Sequence, residues 1–161
     1  MSHHDRRTAR SSGLFAKHIE ATTDIGAPVE RVWAVLTDFA RYPDWNPFIR
    51  HIEGPLEAGG RLRVRIEPPG GRGMTFRPTL LAVEPGRELR WRGRLLVPGL
   101  FDGEHAFRLH ARRRGTRLRQ EEDFGGLLLP LFGGARLART RRGFEAMNAA
   151  LKRRAEAAGR R

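Results

Sequence analysis

Between Leu62 and Phe124 the apolar residues fall on alternate positions, and the turns separating these runs bring both arms of each hairpin onto one face. Leu62, Val64 and Ile66 alternate with Arg61, Arg63 and Arg65. Met74, Phe76, Leu80 and Ala82 share a face of the next run, and Leu89, Trp91 and Leu95 share a face of a third. A tight turn at Glu84-Pro85-Gly86-Arg87, with Pro85 and Gly86 central, sets Leu80 opposite Trp91 and Ala82 opposite Leu89. A second hairpin joins residues 103–111 to 116–124 around Arg113-Arg114, pairing His105 with Glu122 and Phe107 with Gln120. A slip of one residue there would turn either Phe107 and Leu109 or Leu118 and Phe124 to water, so core burial protects the register.

The flanks carry other periods. IEATTDI at 19–25 is rich in β-branched residues and predicts a first strand. Pro28 suits the first position of a helix, and Val29, Val32, Trp33, Leu36 and Phe39 recur three and four residues apart, which predicts a helix ending near Phe39. In RYPDWNPF, 41–48, two prolines, Asp44 and Asn46 favour turns, while Tyr42, Trp45 and Phe48 are expected to pack inward. After LLLPLF a helical pattern runs from about Gly134 to Ala158, with Leu137, Ala138, Phe144, Met147, Leu151, Ala155 and Ala158 along one side and arginines along the other. At 1.5 Å per residue such a helix is about 36 Å long. A strand, a helix, several hairpin-linked strands and one long helix imply an α+β fold whose last helix covers the sheet. LLLPLF is read as a buried staple into that helix, with a lid or membrane-touching edge as the alternative.

The 161 residues suit one domain, and no apolar run approaches the roughly 20 residues of a membrane-spanning helix. The absence of cysteine excludes disulfides, thiolate metal sites and thiol nucleophiles. Residues 1–16 are expected to form a disordered basic tail and residues 17–158 the folded domain. MSHHDRRTAR lacks the apolar core of a secretory signal, which makes a soluble cytoplasmic protein the expectation. The formal charge of +13 is almost all arginine, since the only lysines are Lys17 and Lys152. Arg63, Arg65, Arg90, Arg92, Arg94, Arg108, Arg117 and Arg119 alternate with the apolar set and so occupy the outer face. With the aromatic residues mostly on the inner face rather than among these arginines, nucleic acid is disfavoured; weak association with anionic surfaces through the outer face stays open. There is no Gly-rich phosphate loop, nucleophile elbow, HExxH motif or clustered metal-ligand set, and no cofactor or metal is implied.

The element order, together with IGAPVERVWAVLTDFARYPDWNPFI at 25–49, VEPGRELRWRG at 83–93, FDGEHAFRL at 101–109 and GTRLRQEEDFGGLLLPL at 115–131, resembles the SRPBCC superfamily over residues 18–155. This is the START-like, helix-grip group that includes polyketide cyclase/dehydrase-like proteins. The resemblance implies a curved antiparallel sheet wrapped around a long C-terminal helix, with a tunnel for a small hydrophobic ligand. On the strand parity the lining comprises Trp91, Phe76, Met74, Leu95, Phe107 and Phe124 facing Phe144 and Met147, with His105, Gln120 and Glu122 as its polar members. Three functions are compatible with it: binding or carriage of the ligand, a polyketide cyclase/dehydratase-like activity with His105 and Glu122 shuttling protons, or a polyanion- or membrane-binding module. A satisfied structural pair is the plainer account of His105 and Glu122.

Overall fold

A computed structural model describes residues 17–95, 101–131 and 133–159, without the side chains of Leu95 and Phe101; the expected tail at 1–16 lies outside the described residues. The alternating runs form a five-stranded antiparallel sheet in the order β1-β8-β7-β6-β5, made of β1 (Lys17–Ile25), β5 (Thr79–Glu84), β6 (Glu88–Leu95), β7 (Phe101–Arg112) and β8 (Gly115–Gly125). A second sheet, β2-β3-β4, comprises β2 (Ile49–Glu53), β3 (Arg63–Ile66) and β4 (Met74–Phe76). An Arg61–Thr79 bridge and the bond from Leu62 N–H to Pro78 C=O at 2.9 Å tie it to the edge of β5. Two helices precede β2, α1 (Val29–Thr37) and the single turn α2 (Tyr42–Trp45), and α3 (Gly134–Ala157) ends the fold.

The β7–β8 hairpin pairs as its turn dictates, with His105 opposite Glu122, Phe107 opposite Gln120 and Arg112 opposite Gly115. The β5–β6 hairpin corrects the expected pairing. Its loop has three residues, so Glu84 faces Glu88, Val83 faces Leu89 and Ala82 faces Arg90. A bulge between Leu80 and Ala82 then removes the offset and restores Leu80 opposite Trp91. The run from Met74 to Ala82 is likewise two strands in two sheets, because Arg77-Pro78 lies between them and Pro78 lacks the N–H a ladder needs. Alternation cannot be carried across that break; within β4 itself Phe76 is half-buried while Met74, at the strand's start, is 46 % exposed instead of facing inward.

Pro28 stands at the N-cap rather than inside α1, with its carbonyl accepting from Arg31 and Val32 N–H. The helix stops at Thr37, and a 3-10 turn over Phe39–Arg41 leads into α2 where turns were expected. The rings there do pack inward: Tyr42 and Phe48 are buried and Trp45 is half-buried. Tyr42 Oη donates to Leu36 C=O at 2.6 Å, and burial pushes its phenol above the ordinary tyrosine value. Along α3 the buried face holds Thr140, Gly143, Phe144, Met147, Asn148, Ala150, Leu151 and Ala155. Ala138 and Ala158 are exposed, contrary to expectation. Ala138 lies about 120° round the helix from Phe144 at 100° per residue, while Ala158 follows the last helical residue. Helix and chain meet closely at Gly143, where an added Cβ would stand 2.3 Å from the Phe48 ring.

Candidate functional site

Antiparallel pairing aligns the inner-face residues in rows across the large sheet. One row runs Ile19, Glu122, His105, Trp91, Leu80; the next, towards the chain interior, runs Ala21, Gln120, Phe107, Leu89, Val83. On the other side the row is Lys17, Phe124, Gly103, Gly93. The rows therefore grade from a packed apolar end to an end where two facing strands carry no side chain.

In the central row, His105 is 4 % exposed and enclosed by rings: stacked on Trp91 at 5.0 Å and 11°, edge-on to Phe144 at 4.9 Å, and 4.6 Å from Phe107. Both ring nitrogens are engaged. Gln120 Nε2 lies 3.1 Å from His105 Nε2, and because an amide nitrogen only donates, Nε2 accepts and the proton sits on Nδ1. Nδ1–H then donates to Glu122 Oε2 at 3.3 Å. Gln120 also reaches Met147 Sδ at 3.7 Å, while its Oε1 is buried with no partner among the described residues. Behind it Asn148 donates from Nδ2 to Ala21 C=O at 3.1 Å, leaving its own Oδ1 buried and without a partner among the described residues.

Glu122 differs from its neighbours, since its side chain keeps 19 % exposure. Its Oε1 lies over Gly103, where an added Cβ would meet it at 2.7 Å and the Phe124 ring at 3.7 Å. Directly opposite, the Phe76 ring covers Gly93, with an added Cβ at 3.3 Å from Cδ2. The paired glycines thus make a bay in the sheet, floored by backbone and occupied by a phenyl ring and a carboxylate. Sequence reasoning missed Gly93 and Gly103; the signal was present as single glycines inside two alternating strands, which mark close approach by another group.

Of the residues expected to line a chamber, Trp91, His105, Phe107, Gln120, Phe124, Phe144 and Met147 are brought together and buried. Phe76 and Glu122 are half-buried beside them. Met74, at the start of the strand that carries Phe76, is exposed and stays outside this lining, and the side chain of Leu95, whose backbone closes β6, lies outside the described part. The middle of the sheet is packed solid, and the glycine bay is filled from within the chain, by the Phe76 ring over Gly93 and the Glu122 carboxylate over Gly103.

The outer face is an ion-pair lattice. Arg108 joins Glu121 at 2.7 Å to Glu88 at 2.9 Å, Arg119 reaches Glu121 at 2.6 Å, and Glu104 receives Arg90 at 2.7 Å and Arg92 at 2.8 Å. Burial alone would raise the Glu104 and Glu121 carboxyls, yet hydrogen bonds from these arginines hold both below the ordinary glutamate value. Arg63, Arg65, Arg94 and Arg117 pair with Glu53, Glu67, Asp102 and Asp24, so every arginine assigned to this face has an acidic partner. His18, Glu20 and Glu121 bring three ligand-type atoms within 4.8 Å, but Glu121 is held by two guanidiniums and His18 by Asp123, an environment unfavourable to a cation.

A family profile described as polyketide cyclase / dehydrase and lipid transport matches residues 16–156. No curated protein matches the chain. Among solved structures, the Zhui aromatase/cyclase from Streptomyces sp. R1128 superposes with a TM-score of 0.73 at 24% identity, covering 90% of this chain and 96% of that one. A START superfamily protein from Mycobacterium smegmatis gives 0.68 at 20% identity, covering 88% and 98%. The di-domain ARO/CYC StfQ of the steffimycin biosynthetic pathway gives 0.65 at 18% identity, covering 89% of this chain but 50% of its own length. At these identities the likeness is one of fold, a curved antiparallel sheet with a long C-terminal helix.

Proposed function

The chain belongs to the polyketide cyclase / dehydrase and lipid transport family, and from that premise we propose that it binds and carries a small, largely apolar molecule seated in the glycine bay. The observation that carries this reading is the engagement of both His105 ring nitrogens inside an aromatic enclosure. A general base must reach a substrate proton, and here Glu122 and Gln120 already take up both imidazole nitrogens. Glu122 is the polar group left facing the bay, with His105 fixing its orientation from behind. A flat apolar ring replaces Phe76 over Gly93, where the missing Cβ lets it approach the backbone, and a ligand hydroxyl or N–H donates to Glu122 Oε1.

A second reading, cyclisation or dehydration of a polyketide-like substrate, is favoured by the same carboxylate: it is partly exposed and stands at the bay, placed to take and return a proton. His105 then acts as a positioning residue. Native mass spectrometry of the purified chain, with titration of the neutral probe N-phenyl-1-naphthylamine, tests the first reading. A bound small molecule or saturable probe binding is expected, reduced about tenfold or more in Gly103→Val, whose branched side chain fills the bay. A folded wild-type protein that holds no ligand and takes up no probe refutes carriage. Turnover of a polyketide-like substrate that disappears in Glu122→Gln replaces it with the enzymatic reading.

A further inference from the structure

The leucine-rich connection between β8 and α3 departs from the buried staple expected of it. Leu129 is buried at 1 % exposure and anchors the turn, while Leu127 on one side is 73 % exposed and Leu131 on the other 80 %. Together they present two large apolar side chains to solvent, two residues either side of a fixed point. The start of α3 is as unusual as the leucines. From Gly134 to Arg142, α3 carries Arg136, Arg139, Arg141 and Arg142 and no acidic residue, and apart from half-buried Leu137 and buried Thr140 every residue of this stretch is exposed. Its first turn holds no acidic side chain and the N-cap Gly133 supplies no side-chain cap. Arg136 lies in the first turn, where the helix dipole opposes a cation, and Arg141 reaches Glu145 one turn on at 3.4 Å, while Arg139 and Arg142 stand exposed.

From this juxtaposition we propose that the turn at 127–131 and the first turns of α3 dock on an anionic lipid bilayer, with Leu127 and Leu131 entering the acyl boundary and Arg139 and Arg142 meeting lipid phosphates. Charge complementarity favours this occupant over the outer sheet face as the point of contact. There each arginine is already neutralised by a glutamate or aspartate of the sheet, whereas Arg139 and Arg142 stand exposed on α3 beside exposed apolar groups. A soluble polyanion would use the arginines and have no need of the leucines. A second copy of the chain would bring four more arginines against these four unless the helices were offset. The proposal stands independently of whether the glycine bay takes a ligand.

Cosedimentation of the full chain with phosphatidylserine/phosphatidylcholine vesicles, against phosphatidylcholine alone, tests it. Binding is expected only to the anionic vesicles and to weaken with added salt. Leu127→Ser/Leu131→Ser should bind about tenfold more weakly with an unchanged melting curve, since both side chains are solvent-facing. Arg139→Glu/Arg142→Glu should lose about tenfold or more, and the control Arg113→Glu/Arg114→Glu, the same charge change at the β7–β8 turn, should lose much less. Equal losses in the control, vesicle binding indifferent to the leucines, or no binding at all overturns the proposal. So does a solution dimer that the leucine variant dissociates, which would make the patch a self-association surface.

Discussion

Gly143 is a place where one methyl group decides packing. An added Cβ would stand 2.3 Å from the Phe48 ring, itself 5.6 Å from and edge-on to Phe144, so the ring has to move into occupied space. Gly143→Ala gains helix propensity, but overpacking outweighs it: a net loss of about 1–3 kcal/mol is expected, read as a lower urea midpoint. His18 carries a pH dependence of definite sign. Burial pulls its pKa down, yet hydrogen bonds to Asp123 at 2.7 Å and Glu20 at 3.3 Å outweigh burial and raise it above 6.5. Its stabilising contribution is complete below 6.5 and is lost as pH rises through the higher folded value. The urea midpoint of the wild type should therefore fall over that interval relative to His18→Gln. A parallel pH dependence in the two proteins contradicts the pairing.

At the scale of elements, α3 is the support on which the sheet closes. Phe144, Met147 and Leu151 have no measurable exposure, and Asn148 fastens the helix to β1 through Ala21 C=O. Phe144→Ala should cost about 3–5 kcal/mol, a large part of the roughly 5–15 kcal/mol that stabilises a domain. A chain ending before Gly134 should show no cooperative melt; one near the full-length temperature would contradict this role for α3. The long hairpin was legible in the sequence because its turn and both apolar faces demand one register. Its β5–β6 counterpart was legible only in part. The expected two-residue loop was in fact three, and the bulge after Leu80 cancelled that offset, so Leu80 meets Trp91 while Ala82 misses Leu89. Bulges of this kind answer to sheet curvature, which periodicity does not record.

For the molecule as a whole, Trp91 is the reporter of the interior. It is 2 % exposed, stacked on His105, and two residues along β6 from Gly93. In a Trp33→Phe/Trp45→Phe background its emission should be blue-shifted, and saturation with a non-absorbing apolar ligand such as decanol should change its intensity or maximum. Emission indifferent to a ligand shown to bind places that ligand away from the sheet. By itself the sequence determined the α+β class, the inward parity of the long strands, the His105–Glu122 pairing and the C-terminal helix, because each follows from a local period or a turn of known length. Tertiary structure alone decided which inward residues are packed solid, which meet the glycine bay, and that Met74 belongs to a second sheet. It also decided that acidic neighbours neutralise the outer arginines while Arg139 and Arg142 are exposed on the helix that follows the exposed leucines. These are matters of distance between segments far apart in the chain, set when the sheet curves and the helix crosses it.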